Sequence, residues 1–488
     1  MTTFRYFSAG KLRLLRVGPL GALIRAAARR APPRYSLRTF GGLALDLDRV
    51  GSALDEPSRW FGALAYALTD ADMLVESDGV SGTVTLPTET VVVDGATASE
   101  MRWLRDRHGF DVVREGRQGK VLLRAPRGGA AGVADAFEVG EKLIRRGNVA
   151  AAHPNFVRAL LHIARPDEAA SEQWNLQNDG HEGLYGADVH ARAAWTITRG
   201  SRDVRVAVLD EGVDTRHPSL APAVVAELDG VEGKRNALPD GNDAHGTACA
   251  GIVLSRDSEV SGLAPESSLV AARIARGDGA GHWILDDFDT ADAIDWCWEE
   301  ARADVLSNSW GGGPPTDVIT RAFERARSKG RRGRGCVIVA AAGNEQGPVN
   351  YPARLPFVLG VGASNPWDEM KTRASKDGES WWGTNRGPGL DLLAPAVRIR
   401  TTDIHGPRGY GYSDFIADFN GTSAATPHVA AAAALILAVA RELTAQKVRD
   451  IIIDTADPLS TASGRRSQRT GSRRLNTYAA LRAALRAA

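Results

Sequence analysis

Cysteine is among the residues that this sequence has little of. Only three of the 488 residues are cysteines, namely Cys249, Cys297 and Cys336. They are too few and too scattered for a disulfide framework or a zinc site. An odd number of thiols fits a reducing compartment, where structural disulfides are rare.

A surplus of charge of one sign is also lacking. There are 60 Lys and Arg residues against 59 Asp and Glu residues, so the formal net charge is +1. This balance excludes a basic surface over the whole protein, and we predict no nucleic-acid partner. Hydrophobic residues make up 43% of the chain, which is enough for a sizeable core. The length is typical of about three domains.

Long hydrophobic runs are the third absence. The longest purely apolar run covers the 12 residues from Val429 to Ala440. A membrane-spanning helix needs about 20 such residues. We therefore predict that no segment spans a membrane.

The N-terminus carries no clear secretory signal. Such a signal needs an unbroken apolar stretch after its positive start. Here Arg13, Arg16 and Arg25 interrupt the apolar residues between positions 12 and 28. We interpret this stretch as a basic amphipathic helix and predict a cytoplasmic protein. A helix on a membrane surface, or export by an unrecognised signal, is the alternative.

The pattern of the chain divides it into three parts. Residues 1–84 form a small N-terminal extension of unknown role. Residues 85–165 show strands and helices in the order β-α-β-β-α-β, which is that of a ferredoxin-like domain. Residues 166–488 begin with a polar linker, and from Trp174 onward buried apolar strands alternate with helices. This alternation predicts an α/β domain whose parallel sheet is flanked by helices.

Three short segments of the third part carry reactive side chains. Asp210 directly follows a hydrophobic strand, and the carboxyl ends of such strands are where open α/β sheets place catalytic groups. His245 stands before small residues that can begin a helix. Ser423 opens a long helix, with Pro427 in or near the first turn, where a missing N–H costs least.

These residue types can perform nucleophilic chemistry if they meet. A serine hydroxyl needs a base, and His245 can be that base near neutral pH. Asp210 would supply the anion that stabilises the imidazolium. The helix that starts at Ser423 adds free backbone N–H groups, and Asn344, which follows an apolar strand, can donate a second hydrogen bond to an oxyanion.

The order of the three residues narrows the class of enzyme. They occur as Asp, His, Ser, the order found in subtilisin. An α/β-hydrolase needs an acid and then a histidine after its serine. No histidine follows His428, and no acid lies between Ser423 and His428. Residues 421–425 also lack the final glycine of a nucleophile elbow.

The segments resemble those of the subtilisin-like serine proteases, the subtilases. The similarity covers most of residues 170–488, and Gly-Thr-Ser-Ala-Ala-Thr-Pro-His around Ser423 is its most specific part. The resemblance implies a serine endopeptidase that acts on protein or peptide substrates through an acyl-enzyme. It implies Asp210, His245 and Ser423 as the triad and Asn344 as the oxyanion donor.

The resemblance also implies substrate-binding residues. Ser309, Trp310 and Gly311 match the segment that pairs with the substrate backbone and borders the primary pocket. Gly279 and Gly281 match the glycine-rich strand on the other side of an extended substrate.

Two pocket positions and the cofactor question complete this set. Glu345 and Asn350 resemble positions that line the primary pocket. Calcium stabilises many subtilases, but no compact Asp-rich ligand loop is recognisable in this sequence. We therefore expect no required cofactor and leave a structural calcium ion open.

The second part of the chain resembles a subtilase propeptide. Residues 85–163, which contain His153-Pro154-Asn155-Phe156, would act as a folding template and a temporary inhibitor. The implied protein is a self-processing zymogen with its own propeptide as a partner. One alternative is a latent regulatory protease that a partner activates. The other is a non-catalytic peptide-binding protein on the same scaffold.

Overall fold

The structure is a computed structural model that describes residues 2–8, 11–18, 74–76, 84–161, 173–181, 183–233, 236–277, 282–459 and 473–488. These residues divide into two compact units. The first unit takes in the described residues up to 161 together with 277, 282–295 and 313–322, and the second takes in the rest. The units thus combine distant stretches of the chain, whereas the domain limits given above follow its order. Those limits stay a prediction.

The first unit is built on an antiparallel sheet. Its strands and helices up to residue 161 are β1 (Thr2–Ser8), β2 (Lys11–Gly18), β3 (Leu74–Glu76), β4 (Val84–Asp94), α1 (Ala98–His108), β5 (Asp111–Glu115), β6 (Lys120–Arg124), α2 (Gly129–Arg146) and β7 (Ala151–Leu161). From β4 onward the predicted order of elements is confirmed. The strands pair as β7-β4-β6-β5, the arrangement of a split βαβ unit.

The core of this part comes from one face of the sheet and the two helices. Val91 and Val93 alternate along β4, and they pack with Leu104 of α1 and Leu143 of α2. Both helices end at a glycine with positive φ, a common way for helices to stop. The predicted helices in residues 98–146, and the glycine stop after each of them, are therefore formed as local sequence patterns indicate.

The expected N-terminal helix is wrong over residues 11–18. They form β2, which pairs antiparallel with β1. Charged and apolar residues alternate along Lys11, Leu12, Arg13 and Leu14, and such a period of two favours a strand. The remainder of the stretch, residues 19–28, lies outside the described residues. The cytoplasmic location stays a prediction.

The second unit is built on a largely parallel sheet. The strands after residue 161 are, in chain order, β8 (Arg205–Asp210), β9 (Val224–Asp229), β10 (Ser268–Arg273), β11 (Ala275–Gly277), β12 (His282–Asp286), β13 (Val305–Asn308), β14 (Val337–Ala341), β15 (Leu359–Ser364), β16 (Leu392–Pro395), β17 (Ile399–Thr402), β18 (Phe415–Phe419), β19 (Asp457–Pro458) and β20 (Arg473–Arg474). Of these, β11 and β12 belong to the antiparallel sheet described above, and β17 pairs with β18. The sheet order is β19-β20-β16-β15-β14-β13-β8-β10-β9. Strands β8, β9, β10 and β13 to β16 pair in parallel, as predicted.

Helices flank this sheet. The helices after residue 161 are α3 (Ala191–Trp195), α4 (His245–Leu254), α5 (Asp287–Glu299), α6 (Asp317–Lys329), α7 (Thr422–Val439), α8 (Ala445–Thr455) and α9 (Thr477–Ala487). Residues 287–295 of α5 and 317–322 of α6 belong to the first unit. Helix α4 packs against β8 and β10, and α7 packs against α4 and β13 to β16. The predicted α/β class with a parallel sheet and flanking helices is confirmed.

Helix α7 is the most apolar helix of the second unit. Five alanines from Ala430 to Ala434 are fully buried, and their small side chains let the helix approach the sheet closely. Of the described helices, α7 is the one long and apolar enough to cross a membrane, but 83% of that stretch is buried inside the protein. Packing in the core therefore accounts for its composition.

A buried lysine organises the segment between β15 and β16. The Lys371 ammonium is fully buried and donates to the carbonyl oxygens of Thr372 at 2.7 Å, Glu379 at 2.6 Å and Trp382 at 3.2 Å. Asp377 Oδ1 lies 3.1 Å from the same nitrogen. A long segment without regular structure is thus tied together around one cation.

We expect Lys371→Met to lower the free energy of unfolding by about 3–5 kcal/mol, because the buried Asp377 carboxylate loses its cation and three carbonyl oxygens lose their donor. Denaturant-induced unfolding followed by circular dichroism measures the change. The matched control is Lys376→Met, because Lys376 is 66% exposed and pairs with Glu369. A loss for Lys371→Met no larger than that of the control would contradict this account.

Candidate active site

The four residues predicted to react lie at strand ends and helix starts of the second unit. Asp210 is the last residue of β8, and Asn344 follows the end of β14 by three residues. His245 is the first residue of α4, and Ser423 is the second residue of α7. Because β8 and β14 belong to one parallel array, their carboxyl ends share an edge of the sheet.

Asp210 and His245 form a buried pair. The Nδ1 atom of His245 lies 2.9 Å from Asp210 Oδ1, and both side chains are almost fully buried. With Nδ1–H donating to the carboxylate, Nε2 is the ring atom that can take a proton. The ring of Phe419 meets the imidazole edge to face at 5.2 Å, which fixes the plane of the ring.

A glycine permits this close approach of α4 to β8. A Cβ atom on Gly246 would lie 2.1 Å from the Gly212 oxygen and 2.8 Å from Asp210 Cβ. No side chain larger than hydrogen fits at that place. The small residue next to His245 is therefore a requirement of the Asp210–His245 contact.

Ser423 is held by the segment after β13. Its Oγ donates to the Ser309 carbonyl oxygen at 3.0 Å, and Ser309 Oγ donates back to the Ser423 carbonyl oxygen at 2.9 Å. That carbonyl is available because Pro427, four residues later, has no N–H to bond to it. Pro427 lies inside the helix, and the carbonyl oxygen that it leaves without a helical donor accepts the hydrogen bond that links Ser423 to Ser309.

Cys249 lies between the histidine and the serine. Its Sγ is 3.7 Å from His245 Nδ1 and 3.6 Å from the Ser423 carbonyl oxygen. Burial, with Asp210 nearby, raises the pKa of this thiol well above its usual value. The thiol therefore stays protonated and packs the two elements together.

The amide of Asn344 is oriented by the start of α7. Its Oδ1 accepts hydrogen bonds from Thr422 N at 2.8 Å and Thr422 Oγ1 at 3.1 Å. Because the oxygen is engaged, Nδ2 is the group that can donate elsewhere. A Cβ atom on Gly421 would come within 3.3 Å of Nδ2, so this donor lies beside the backbone that leads into Ser423.

Glu345 and Asn350 meet beneath Asn344. Glu345 Oε2 accepts from Asn344 N at 3.1 Å, from Asn385 Nδ2 at 2.7 Å and from Asn350 Nδ2 at 3.4 Å. Burial raises the pKa of Glu345, and these donors act in the opposite direction. The two residues expected to line a pocket thus also support the backbone of Asn344.

The other residues expected to bind substrate are only partly described. Trp310 is 5% exposed and stacks on Phe323 with ring centroids 6.3 Å apart. A Cβ atom on Gly311 would lie 2.9 Å from the Tyr351 oxygen, so the chain is close-packed there. Gly279 and Gly281 lie outside the described residues. The substrate-binding roles of this set stay predictions.

Sequence reasoning missed three residues that support the site. Glu211 accepts a hydrogen bond from the His245 backbone N–H at 2.8 Å. Thr422 and Asn385 hold Asn344 and Glu345, as described above. Glu211 and Thr422 are the direct chain neighbours of Asp210 and Ser423, so their position in the motifs could have marked them as residues that support the site. Asn385 stands far along the chain, and no local pattern marks it.

Comparison with known proteins agrees with this geometry. The family model described as the subtilase family matches residues 201–477, which is more than half of the chain. The chain therefore belongs to the subtilase family. The resemblance seen in the motifs around Asp210, His245 and Ser423 is confirmed at this level.

Several relatives illustrate the extent of the match. The chain is 34% identical over 269 residues to a subtilisin of Bacillus pumilus, which covers 53% of this chain and 86% of the relative. It is 32% identical over 345 residues to a thermophilic serine proteinase of Bacillus sp. (strain AK1), which covers 68% and 77%. It is 30% identical over 387 residues to a calcium-dependent protease of Nostoc sp. (strain PCC 7120), which covers 72% of this chain and 56% of the relative. The chain thus spans just over half of that relative's length.

Within the described ranges, the one cluster of three close His, Cys or acidic donors is Asp210, His245 and Cys249. Calcium prefers six to eight oxygen ligands, whereas this cluster offers an imidazole and a thiol, so this cluster does not fit calcium. A structural calcium ion held elsewhere by oxygen ligands stays a prediction.

Proposed function

We propose that the protein is a serine endopeptidase that hydrolyses peptide bonds through Asp210, His245 and Ser423. The observation that carries this proposal is the buried Asp210–His245 contact of 2.9 Å at the sheet edge, with Ser423 in the first turn of α7. The oriented amide of Asn344 beside Ser423 supports it. The names of the relatives, a subtilisin and two kinds of protease, agree with it.

The proposed reaction begins with rotation of the Ser423 side chain from the Ser309 oxygen towards His245 Nε2. His245 takes the hydroxyl proton as Oγ attacks the scissile carbonyl, and Asp210 stabilises the imidazolium. The Ser423 N–H and Asn344 Nδ2 donate to the oxyanion. His245 then protonates the leaving amine, and water hydrolyses the acyl-enzyme with the same histidine as base.

We expect Ser423→Ala to abolish labelling by a fluorophosphonate probe and hydrolysis of a peptide library, because the nucleophile is gone. The matched control is Ser413→Ala, since Ser413 lies in an exposed loop and should leave labelling intact. Mass spectrometry of the labelled peptide identifies the site. Undiminished labelling of Ser423→Ala would remove Ser423 as the nucleophile. Peptide binding without labelling of the wild type would favour the non-catalytic scaffold.

We expect Asn344→Ala to lower kcat by about 10²–10³-fold with little change in KM, the range known for an oxyanion donor of subtilisin. The donor acts on charge that develops only in the transition state. Steady-state kinetics on a peptide substrate measures the change, with the exposed Asn236→Ala as the control. A loss below about threefold would mean that another group supplies this hydrogen bond.

We further propose that residues 85–163 act as an inhibitory propeptide of a self-processing zymogen. In the first unit, β7 continues beyond Phe156 and pairs antiparallel with β12, with Val157 opposite Asp286. In the sequence, β12 directly follows Gly279 and Gly281, the positions expected to bind substrate. Pairing of a tail with this strand supports an inhibitor that occupies the substrate position.

A ladder of ion pairs supports the same proposal. Arg114 pairs with Asp289, Arg117 with Asp292 and Lys120 with Asp295, and each acid lies 175 residues after its partner. The bases are three residues apart, and so are the acids, which places the acids on one face of α5. The Arg114 guanidinium also lies 4.5 Å from the centre of the Phe288 ring. We call these three pairs the ion-pair ladder.

The Lys120–Asp295 pair is the most deeply buried member of the ion-pair ladder. Lys120 and Asp295 are both fully buried, whereas the other pairs are partly exposed. Burial and the neighbouring Asp286 raise the pKa of Asp289 to about 8, so this carboxyl group is mainly protonated at neutral pH and pairs less strongly with Arg114. A buried pair depends on both partners, because either charge alone is costly in the interior.

We expect Lys120→Met to release the inhibitory domain and to raise early peptide hydrolysis by about tenfold or more, because the buried Asp295 carboxylate loses the Lys120 ammonium. Lys120→Met with Asp295→Leu should return hydrolysis towards the wild-type rate, since an apolar pair can replace a buried ion pair. The control is Lys142→Met, because Lys142 is 43% exposed and pairs with Glu138. Equal rates for wild type and Lys120→Met would contradict the proposed role.

The buried pair also favours the second candidate, a latent protease that a partner activates. A domain held by Lys120 and Asp295 can remain bound after cleavage. Incubation of the purified full chain, followed by mass spectrometry, separates the two candidates. Spontaneous cleavage between Phe156 and Trp174 with a rise in activity supports the self-processing zymogen. Cleavage without activity supports the latent protease.

A further inference from the structure

Glu211 is a buried acid beside the site that the proposed reaction does not use. It follows Asp210 directly and is 3% exposed. Its Oε1 atom accepts the backbone N–H of His245 at 2.8 Å. Its own N–H donates to Asp210 Oδ1 at 2.9 Å, the same oxygen that His245 contacts. Glu211 therefore touches both members of the Asp210–His245 pair.

The contact of Glu211 with His245 takes the place of a helix cap. The first N–H groups of a helix have no partner within the helix. Ala244 stands at the N-cap of α4 and has no side chain that can accept a hydrogen bond. Serine, threonine, aspartate or asparagine at an N-cap accepts from the second or third N–H of the helix, and alanine is among the poorest residues there. Glu211, at the end of β8, instead accepts the N–H of the first helical residue, His245.

We propose that Glu211 is a positioning residue for His245, which it holds against Asp210 by capping α4 from the end of β8, and that it does so as the uncharged acid. This inference rests on the proposed function, in which His245 is the base. The backbone N–H of His245 is fixed on one side and its ring on the other. Two hydrogen bonds, one to Glu211 and one to Asp210, then define the direction of the imidazole.

The surroundings of Glu211 disfavour a second negative charge. The titratable groups that face it from the neighbouring elements are Asp210, Asp243, His245, Cys249, Arg273 and Tyr410. The one cation among them, Arg273, lies 3.5 Å from Asp229 and 3.7 Å from Asp240. Two carboxyl groups already flank Glu211, and the guanidinium nearby is shared with two further acids.

Burial acts in the same direction as these charges. Desolvation is the main effect that raises the pKa of Glu211 well above its usual value of 4.5, and repulsion from the charges of Asp243 and Asp210 adds to it. The hydrogen bond from His245 N opposes this rise only in part. The proton on Glu211 leaves Asp210 as the charged partner of His245. An ionised Glu211 would add a second charge, stabilise the imidazolium and raise the pKa of the base.

The first test separates positioning from mere packing. We expect Glu211→Ala to lower kcat by about tenfold or more with KM within about twofold, because the cap on α4 is lost. Glu211→Gln keeps an oxygen that can accept from His245 N, so kcat should recover to within about threefold of the wild type. The exposed Glu442→Gln is the matched control. Wild-type kcat for Glu211→Ala, or no recovery with glutamine, would overturn the positioning role.

The second test reads the charge of Glu211. If it is uncharged, the acid limb of the kcat/KM profile should keep its midpoint in Glu211→Gln. If it is ionised, removal of its charge should move that midpoint down by about one pH unit. Such a shift would overturn the proposal of an uncharged acid.

Stability gives an independent readout, measured in the Ser423→Ala background to prevent self-cleavage. The pKa of Glu211 is higher in the folded protein than in the unfolded chain, where it is about 4.5. The stability that Glu211 contributes is therefore lost as the pH rises from about 4.5 towards the pKa that Glu211 has in the folded protein. Glutamine needs no proton, so Glu211→Gln should gain in melting temperature relative to glutamate over that range. A constant difference across pH would contradict the raised pKa.

These measurements also distinguish this inference from the proposed function. If the wild type does not label at Ser423 with the fluorophosphonate probe, the proposed self-processing protease fails independently of Glu211, and the kinetic tests have no activity to report. If the wild type labels and cleaves peptides while Glu211→Ala performs equally well, only the role of Glu211 fails. The melting experiment needs no activity, so it tests the state of Glu211 in either case.

Discussion

The approach of the first turn of α4 to the end of β8 is the constraint on which the site depends. Asp210 is fully buried, and among the described residues its Oδ2 atom has no hydrogen-bond partner. A carboxylate in such a place is costly unless donors meet it, and here the His245 ring and the Glu211 N–H both donate to its Oδ1 atom. The contact needs Gly246, because any side chain there would collide with the Gly212 oxygen. The short distance between the first turn of α4 and the end of β8 thus requires glycine at position 246.

The start of α7 shows how one irregular residue links separate elements. Pro427 leaves the Ser423 carbonyl without its helical donor, and Ser309 Oγ takes the place of that donor. Thr422 at the same helix start bonds to Asn344, which extends from β14. Strands β13 and β14 are neighbours in the sheet, so the loops that follow them both reach the first turn of α7. The rigid sheet therefore sets the positions of the nucleophile and the oxyanion donor together.

Many features could be read from local patterns. Continuous apolar strands such as β8 and β10 predicted a parallel sheet, and the motifs predicted where Asp210, His245 and Ser423 lie on their elements. The expected helix at residues 11–18 was wrong because charged and apolar residues alternate there with a period of two. Pro427 was expected in or near the first turn, where its missing N–H costs least. It is the sixth residue of α7, and the Ser423 carbonyl oxygen accepts from Ser309 Oγ instead.

The sequence by itself determined the order of strands and helices and the reactive side chains at their ends, because hydrophobic period, glycine stops and short motifs act over a few neighbouring residues. Only the tertiary structure decided which distant groups support them. Glu211 caps α4 from 34 residues away, and Asn385 reaches Glu345 across 40 residues. The charge that surrounds Glu211 also comes from side chains of several elements. Such contacts depend on how helices and strands pack and where each side chain points, and no local pattern encodes that.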